Sequence, residues 1–312
     1  MTKILVVCGP TATGKTSLAI SLAQKFKGEL VSADSKQVYK GLDIGTGKDI
    51  PPDFRKKGFY EYKGIRVWGY DLIGPKGQFS VSQFVAFARA KIREILRKGR
   101  LPILVGGTGL YIKAMVDGIS TVEIPKKEAL RKNLAGKETR ELFEMLAQLD
   151  PIKAGSLNVS DIKNPRRLIR AIEIATWKLE FGAVPHRRAR VYKDVLFIGL
   201  SAPKEVLSRK IEERVGVRLR SGIEKEISSL LKSGVAWDDQ SMSSLGYRQW
   251  RDYFEGKKTR KEAIEEWEKE ERKYAKRQIT WFKKDPRINW FDITTTDWGE
   301  KVEKLVKRWY SS

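Results

Sequence analysis

The sequence carries a single cysteine, Cys8, and a single histidine, His186, among its 312 residues. One thiol excludes a disulfide framework or a cysteine-based zinc site within the chain. Its position in the apolar run Ile4–Cys8 reads as that of a small core residue. His186 lies in Pro185-His186-Arg187-Arg188-Ala189-Arg190, away from other metal-ligand types, and reads as a loop residue. No run of roughly 18 or more apolar residues occurs, so no membrane-spanning helix is expected. The N-terminus enters an apolar run directly, without a basic-then-apolar leader, and the expected location is cytoplasmic. Negative charge is also scarce: 39 Asp and Glu face 62 Lys and Arg, leaving a net charge of +23. That excess goes beyond what solubility requires and fits a large polyanionic partner, nucleic acid above all. A lysine-rich solvated surface of the kind found in heat-stable proteins is the alternative.

What is present begins with Gly9-Pro10-Thr11-Ala12-Thr13-Gly14-Lys15-Thr16, which fits G-x-x-x-x-G-K-[ST] without mismatch. An apolar run, Ile4-Leu5-Val6-Val7-Cys8, precedes it, and a helical pattern through Leu18, Ala19, Leu22, Ala23 and Phe26 follows. In such a loop the glycines let backbone N–H groups turn around phosphate oxygens, and the helix behind adds its positive dipole end. Lys15 supplies a mobile charge, and the Thr16 hydroxyl is placed to bind Mg²⁺.

The run Gly28–Ser32 reads as a second strand that delivers Asp34 to its C-terminal end, where open α/β sheets place their ligands. Gln37–Lys48 is too glycine-rich for a regular element and reads as a loop lining the site. Residues 59–62 and 65–68 form a hairpin about Lys63-Gly64. A helix runs from Ser80 to Arg97, Leu101–Val105 is a buried strand, and a further helix carries Leu110, Tyr111 and Ala114 to Gly118. This alternation predicts an α/β fold built on a doubly wound parallel sheet. From 119 to 193 the pattern turns helical, most clearly after Asn164-Pro165, whose helix carries Arg166, Arg167 and Arg170 on or near one face. Residues 195–200 return as a strand. The expected organisation is therefore a core of 1–118 and 194–312 interrupted by a helical insertion, 119–193. The C-terminal part is mostly helical: Pro203–Val217, Ser221–Lys232, and Thr259–Phe282 opened by a Thr259…Glu262 capping box. In the last of these, Arg272, Lys273, Lys276 and Arg277 alternate with Tyr274 and Trp281. That interleaving suits a nucleic-acid surface, or a solvated face with aromatics turned to the core.

The phosphate loop alone leaves a kinase, an NTPase or another transferase open. Leu101–Val105 ends in Gly-Gly-Thr and not in the Asp that usually holds Mg²⁺ in motor ATPases and GTPases. Asp34 lies where an acceptor beside the phosphates would bind, but a small-molecule kinase would use an Asp there too. Further blocks occur in order: Ser32-Ala33-Asp34-Ser35-Lys36-Gln37-Val38-Tyr39, Leu42-Asp43-Ile44-Gly45-Thr46-Gly47-Lys48, Val105-Gly106-Gly107-Thr108-Gly109-Leu110-Tyr111, Arg166-Arg167-Leu168-Ile169-Arg170, Arg214-Val215, Leu245-Gly246-Tyr247-Arg248 and Lys276-Arg277-Gln278-Ile279-Thr280-Trp281-Phe282. Together with the phosphate loop this set resembles the bacterial tRNA dimethylallyltransferases over nearly the whole chain.

The resemblance implies a P-loop NTPase-like core and transfer of a dimethylallyl group from dimethylallyl diphosphate to N6 of the adenosine 3′ of the tRNA anticodon. It implies Asp34 as the base, with Thr11, Lys15, Thr108 and Arg214 completing the catalytic set. Gly9, Pro10, Thr11, Ala12, Thr13, Gly14, Lys15 and Thr16 are expected to hold the diphosphate, and Thr16 to ligate Mg²⁺. Asp34, Ser35, Lys36, Gln37 and Thr108 are expected to meet the flipped base. Gln37 suits an adenine edge through paired donor and acceptor. Arg166, Arg167, Arg170, Arg248 and Arg277 are expected to hold the anticodon stem-loop through phosphates. A monomer without membrane association is expected. Lys36 departs from the apolar residue usual between the Ser and the Gln, and the cysteines of a zinc-finger extension found in eukaryotic relatives are absent. Two rivals remain: an adenylate isopentenyltransferase acting on free AMP, ADP or ATP, and an RNA-binding P-loop kinase or ATPase.

Overall fold

The computed structural model describes residues 3–182, 192 and 194–312. His186 lies outside the described residues. The chain separates into two compact units, Met1–Asp117 with Arg190–Ser312, and Gly118–Ala189.

In the larger unit the order is β1 (Lys3–Cys8), α1 (Lys15–Lys25), β2 (Gly28–Ser32), β3 (Arg55–Lys56), β4 (Phe59–Tyr62), β5 (Ile65–Trp68), α2 (Val81–Arg97), β6 (Leu101–Val105) and α3 (Gly109–Val116). The smaller unit contributes α4 (Glu128–Leu134), α5 (Thr139–Leu149), α6 (Pro151–Gly155), α7 (Val159–Ile162) and α8 (Pro165–Phe181). The chain then resumes the larger unit with β7 (Asp194–Ser201), α9 (Lys204–Arg220), α10 (Ile223–Lys232), α11 (Arg251–Phe254), α12 (Arg260–Phe282), β8 (Ile288–Asp292) and α13 (Trp298–Ser311).

The strands form one sheet in the order β3-β4-β5-β2-β6-β1-β7-β8. From β5 to β8 every neighbouring pair is parallel, and only the β3-β4-β5 edge is antiparallel. β1, β2 and β6 are buried at every position, as central strands covered on both faces are, and Glu29 of β2 is buried with Trp68 and Arg100 as its partners. Strand alternation divides their side chains between two layers. Leu5, Val7, Ile103, Val105, Leu196 and Ile198 join Ala19, Ile20 and Ala23 of α1 and Val302 and Val306 of α13 in one core cluster. α2 packs instead on β2, β6 and α3. The β4–β5 hairpin turns through Lys63 and Gly64, both at positive φ, which gives the two-residue loop the twist that antiparallel strands require.

Local signals set several helix starts. Ser80 accepts from the Gln83 N–H in a capping box, Thr259 does the same with Glu262, and the Asn164 side chain accepts from the Arg167 N–H ahead of α8. In the smaller unit, Leu142 and Leu146 of α5 meet Leu168, Ala171, Ile172 and Ala175 of α8, so helical stripes alone make its core. β8 escaped sequence reading because at the sheet edge Asn289 is exposed, Trp290, Phe291 and Asp292 are only partly covered, and no clean alternation results.

Candidate active site

The site gathers at the carboxyl ends of β1, β2 and β6, in a cavity of about 720 Å³ within the larger unit. β1 leads into the phosphate loop. That loop braces itself: the Thr13 hydroxyl and the Lys15 ammonium both donate to the Pro10 carbonyl, at 2.9 and 2.6 Å. Helix α1 then opens on Gly14 with no side-chain cap, which leaves its first N–H groups available to an anion. Lys15, Thr16, Thr11, Ala12 and Gly14 line the cavity, whereas Gly9, Pro10 and Thr13 are not among the lining residues and Thr13 is buried. Burial, and then the charge of Arg214, push the Lys15 ammonium down to about 8. Cys8 is buried in β1, and its thiol is pushed up to about 12 by that burial.

Asp34 lines the same cavity, two residues beyond β2. The Lys36 N–H donates to its Oδ1 at 2.8 Å, and burial holds the carboxyl above its ordinary range in spite of that bond. The loops after β2 and β6 are locked together. The Thr108 N–H donates to the Ala33 carbonyl at 3.2 Å, and the Ser35 N–H donates to the Thr108 hydroxyl at 3.1 Å. Thr108 thus supports the Asp34 loop from behind and is not itself a lining residue. The approach is so close that a Cβ on Gly106 would enter the Ala33 carbonyl, which fixes glycine there.

Helix α9 closes the phosphate side. Arg214 donates to the Thr11 hydroxyl at 2.7 Å, to the Gly47 carbonyl at 3.2 Å and to Asp49 Oδ1 at 3.1 Å. The other Asp49 oxygen accepts from the Thr16 hydroxyl at 2.8 Å. One turn on from Arg214, the buried Arg218 pairs with Glu271 at 2.8 Å, and Glu271 also accepts from Trp267. Gly47 has φ 62° and lies against both guanidinium groups, so no side chain fits there. From α12, Gln278 accepts from the Thr11 N–H at 2.8 Å and donates to the Gly107 carbonyl at 2.9 Å. This one amide clasps the phosphate loop to the loop after β6.

Asp49, Gly47, the Arg218–Glu271 pair and Gln278 are built into this site, and sequence reasoning did not single them out. A signal exists for two of them: Glu271 and Gln278 fall on the buried stripe of α12 with Ala263, Trp267, Ala275 and Phe282, where polar side chains require a partner.

The IPP transferase family model matches residues 37–285, which is most of the chain. The chain belongs to the IPP transferase family. It is similar to a tRNA dimethylallyltransferase of Geobacillus kaustophilus (strain HTA426), 40% identical over 312 residues and covering 98% of this chain and 95% of the relative. A tRNA dimethylallyltransferase of Anoxybacillus flavithermus is 38% identical over 307 residues, with 97% and 95% covered. Among solved structures, the tRNA isopentenylpyrophosphate transferase of Bacillus halodurans superposes with a TM-score of 0.72 at 34% identity, covering 100% of this chain and 96% of that one. A eukaryotic dimethylallyltransferase acting on tRNA shares the fold, with a TM-score of 0.79 at 24% identity over 99% of this chain and 79% of that one.

The remaining expected site residues of this IPP transferase divide by environment. Gln37 lines the cavity; its Oε1 accepts from the Ser32 hydroxyl at 2.9 Å and its Nε2 donates to the Gly47 carbonyl at 3.1 Å, which leaves one N–H and one lone pair for a further partner. These bonds brace the Gly47 turn. Lys36 reaches away from Asp34 to the Gln240 carbonyl and the Ser243 hydroxyl, at 3.0 and 2.9 Å. Arg248 and Arg277 both line the cavity; the first pairs with Glu270 at 3.0 Å, and the second is exposed and lies over the Tyr274 ring. In the helical unit Arg166 is exposed and Arg167 pairs with Asp161. Arg170 is held inside that unit by Glu173 and by the Thr121 and Ile124 carbonyls, at 3.0, 2.8 and 2.9 Å. Burial raises the Glu173 carboxyl, but Arg131 and Arg170 outweigh it and hold the group below its ordinary range.

Proposed function

We propose that this chain is a tRNA dimethylallyltransferase, moving a dimethylallyl group from dimethylallyl diphosphate to N6 of the adenosine just 3′ of the anticodon, in the cytoplasm and as a monomer. The observation that carries the reading is a single cavity lined by Asp34 together with Lys15, Thr16 and Arg214. Adenine N6 attacks the allylic carbon, the carbon–oxygen bond breaks with its electron pair passing to the diphosphate, and the N6 proton passes to Asp34. An exocyclic amine sheds that proton only as the new bond forms, so a carboxylate held at its side accelerates the step. Asp34 is suited to receive it, because the Lys36 N–H orients one oxygen and burial keeps the carboxylate more basic than an exposed one.

The departing diphosphate gains negative charge, which Lys15, Arg214 and the uncapped start of α1 are arranged to meet. Among the described residues no group of three or more His, Cys, Asp or Glu side chains is placed to hold a metal alone. The donor set at Thr16 and Asp49 is of hard oxygens, which fits a Mg²⁺ ion that takes one or two protein ligands and completes its shell from phosphates. Thr16 and Asp49 would hold it, and its charge would neutralise the leaving diphosphate. The target base has to be extruded from its stack to reach the Asp34 wall, at a cost of a few kcal/mol. The net charge of +23 and the exposed Arg166 and Arg277 support a polyanion over a free mononucleotide as acceptor.

Incubation with labelled dimethylallyl diphosphate and either unmodified tRNA or AMP tests the reading. Label is expected on tRNA alone, and it should vanish with Asp34→Ala while tRNA binding persists. Label on AMP, or ATP acting as donor, would overturn it.

A further inference from the structure

Helix α12 carries one feature that the transfer chemistry does not use. Trp281 is 43% exposed, and beside it Leu110 at the start of α3 is 42% exposed. Trp281 lies four residues beyond Arg277 and seven beyond Tyr274, so the three share a helix face. Its indole rests on Gly109, where a Cβ would collide with the ring. Gly109 follows Thr108, whose hydroxyl receives the Ser35 N–H next to Asp34. A chain of contacts therefore runs from the Asp34 loop through Ser35, Thr108 and Gly109 to an open aromatic face.

Beyond Trp281 a second cavity of about 710 Å³ is floored by Phe197, Phe282 and Ile288, with Lys113 and Lys284 in its lining. Its two carboxylates, Asp117 and Asp285, are both engaged by Arg287, at 2.7 and 2.6 Å, and Arg287 also stacks on Phe197. Lys113 and Lys284 make no ion pair among the described residues. An exposed aromatic face, an apolar floor and a lining in which Lys113, Lys284 and Arg287 outnumber Asp117 and Asp285 match a nucleobase with its flanking phosphates, since every base presents a π-face that stacks on such a platform. An apolar peptide would make no use of that excess of positive charge.

We propose that Trp281 is the stacking platform for the base adjacent to the target adenosine, with Lys113 and Lys284 receiving its phosphates. The proposal rests on the tRNA reading above. An anticodon stem-loop RNA carrying 2-aminopurine at either neighbour of the target adenosine, titrated without dimethylallyl diphosphate, tests it. Wild-type protein should quench the probe at one of the two positions. Trp281→Ala should lose that quench and weaken binding roughly 5- to 100-fold. Trp281→Phe, which keeps a ring over Gly109, should restore most of both. Lys284→Ala and Lys113→Ala should each lower the salt slope of binding by about 1. An affinity unchanged in Trp281→Ala, or a probe whose fluorescence ignores the substitution, overturns the platform. Failure of wild-type protein to prenylate tRNA would instead overturn the reading beneath it.

Discussion

The Arg214 guanidinium donates to the Thr11 hydroxyl at 2.7 Å, across 203 residues of sequence. The same group reaches the Gly47 carbonyl and Asp49, so it ties helix α9 to both the phosphate loop and the Leu42–Asp49 turn. A lysine is a point charge and cannot hold three acceptors in a planar fork. Arg214→Lys is therefore expected to lose much of what Arg214→Ala loses, roughly 100- to 1,000-fold in the single-turnover rate of diphosphate release. A lysine variant with near-native rate would show that charge alone suffices there.

Gly47→Ala separates geometry from charge, because it removes no ionisable group. The added methyl would meet Arg214 and Arg218 together, and the backbone at φ 62° disfavours any L side chain. The turnover rate should fall at least about tenfold through displacement of the two arginines, with a stability loss of roughly 1–3 kcal/mol. Activity and chemical denaturation measured on one preparation distinguish this from general unfolding.

Such relationships explain what the sequence could and could not disclose. The strands β1, β2 and β6 and the phosphate loop are legible because their signals are local: short apolar runs, a glycine spacing, a Lys-Thr pair. The caps at Ser80, Asn164 and Thr259 are local as well, three residues from their partners. Gln37 shows the limit. Its chemistry as a paired donor and acceptor was readable, but that Ser32 and Gly47 engage one side of that pair depends on how a turn ten residues away folds back. Arg170 likewise shares a helix with Arg166, yet carbonyls at Thr121 and Ile124 hold it inside the helical unit. Asp49 and Gln278 gain their roles only through partners 33 and 267 residues away.

Gln278 supplies the third expectation. Replacement by Ala orphans the Thr11 N–H and the Gly107 carbonyl, both at the edge of the cavity. A loss of about 2–4 kcal/mol in unfolding free energy should follow, at roughly 1–3 kcal/mol for each orphaned group where water does not fully replace the amide. Gln278→Glu should keep the bond from Thr11 but set a carboxylate against the Gly107 carbonyl. The penalty falls on the charged form, so the folded-state pKa of the new Glu rises above its unfolded value. The variant should thus recover stability as pH falls through that raised pKa, as denaturation at several pH values would reveal.

The pH dependence of transfer follows from Asp34. Burial raises its pKa, and the neighbouring backbone N–H groups and Lys15 offset this only in part. The base must be ionised, so kcat/KM for RNA should fall with unit slope as pH drops through a midpoint above the ordinary aspartate value near 3.8. Asp34→Asn should remove that limb along with most of the rate, whereas Asp34→Glu should retain a shifted limb. A wild-type profile flat through the acid range would exclude Asp34 as the proton acceptor.

Asp49 offers the last test, because its two oxygens divide between the two halves of the phosphate side. Oδ2 accepts from Thr16 and Oδ1 from Arg214. If a metal ion joins this pair of hard oxygens when diphosphate binds, Asp49→Asn should keep the hydrogen-bonding shape but lose the charge. The affinity of Mn²⁺ for the protein–inorganic diphosphate complex, read by electron paramagnetic resonance, should then weaken about 10- to 100-fold, as removal of one supporting carboxylate does at metal sites. Removal of divalent ions by chelation should abolish transfer by the wild-type protein, and added Mg²⁺ should restore it at lower concentration than in the variant. Equal Mn²⁺ affinities for the two proteins would leave Asp49 as a tether of Arg214 alone.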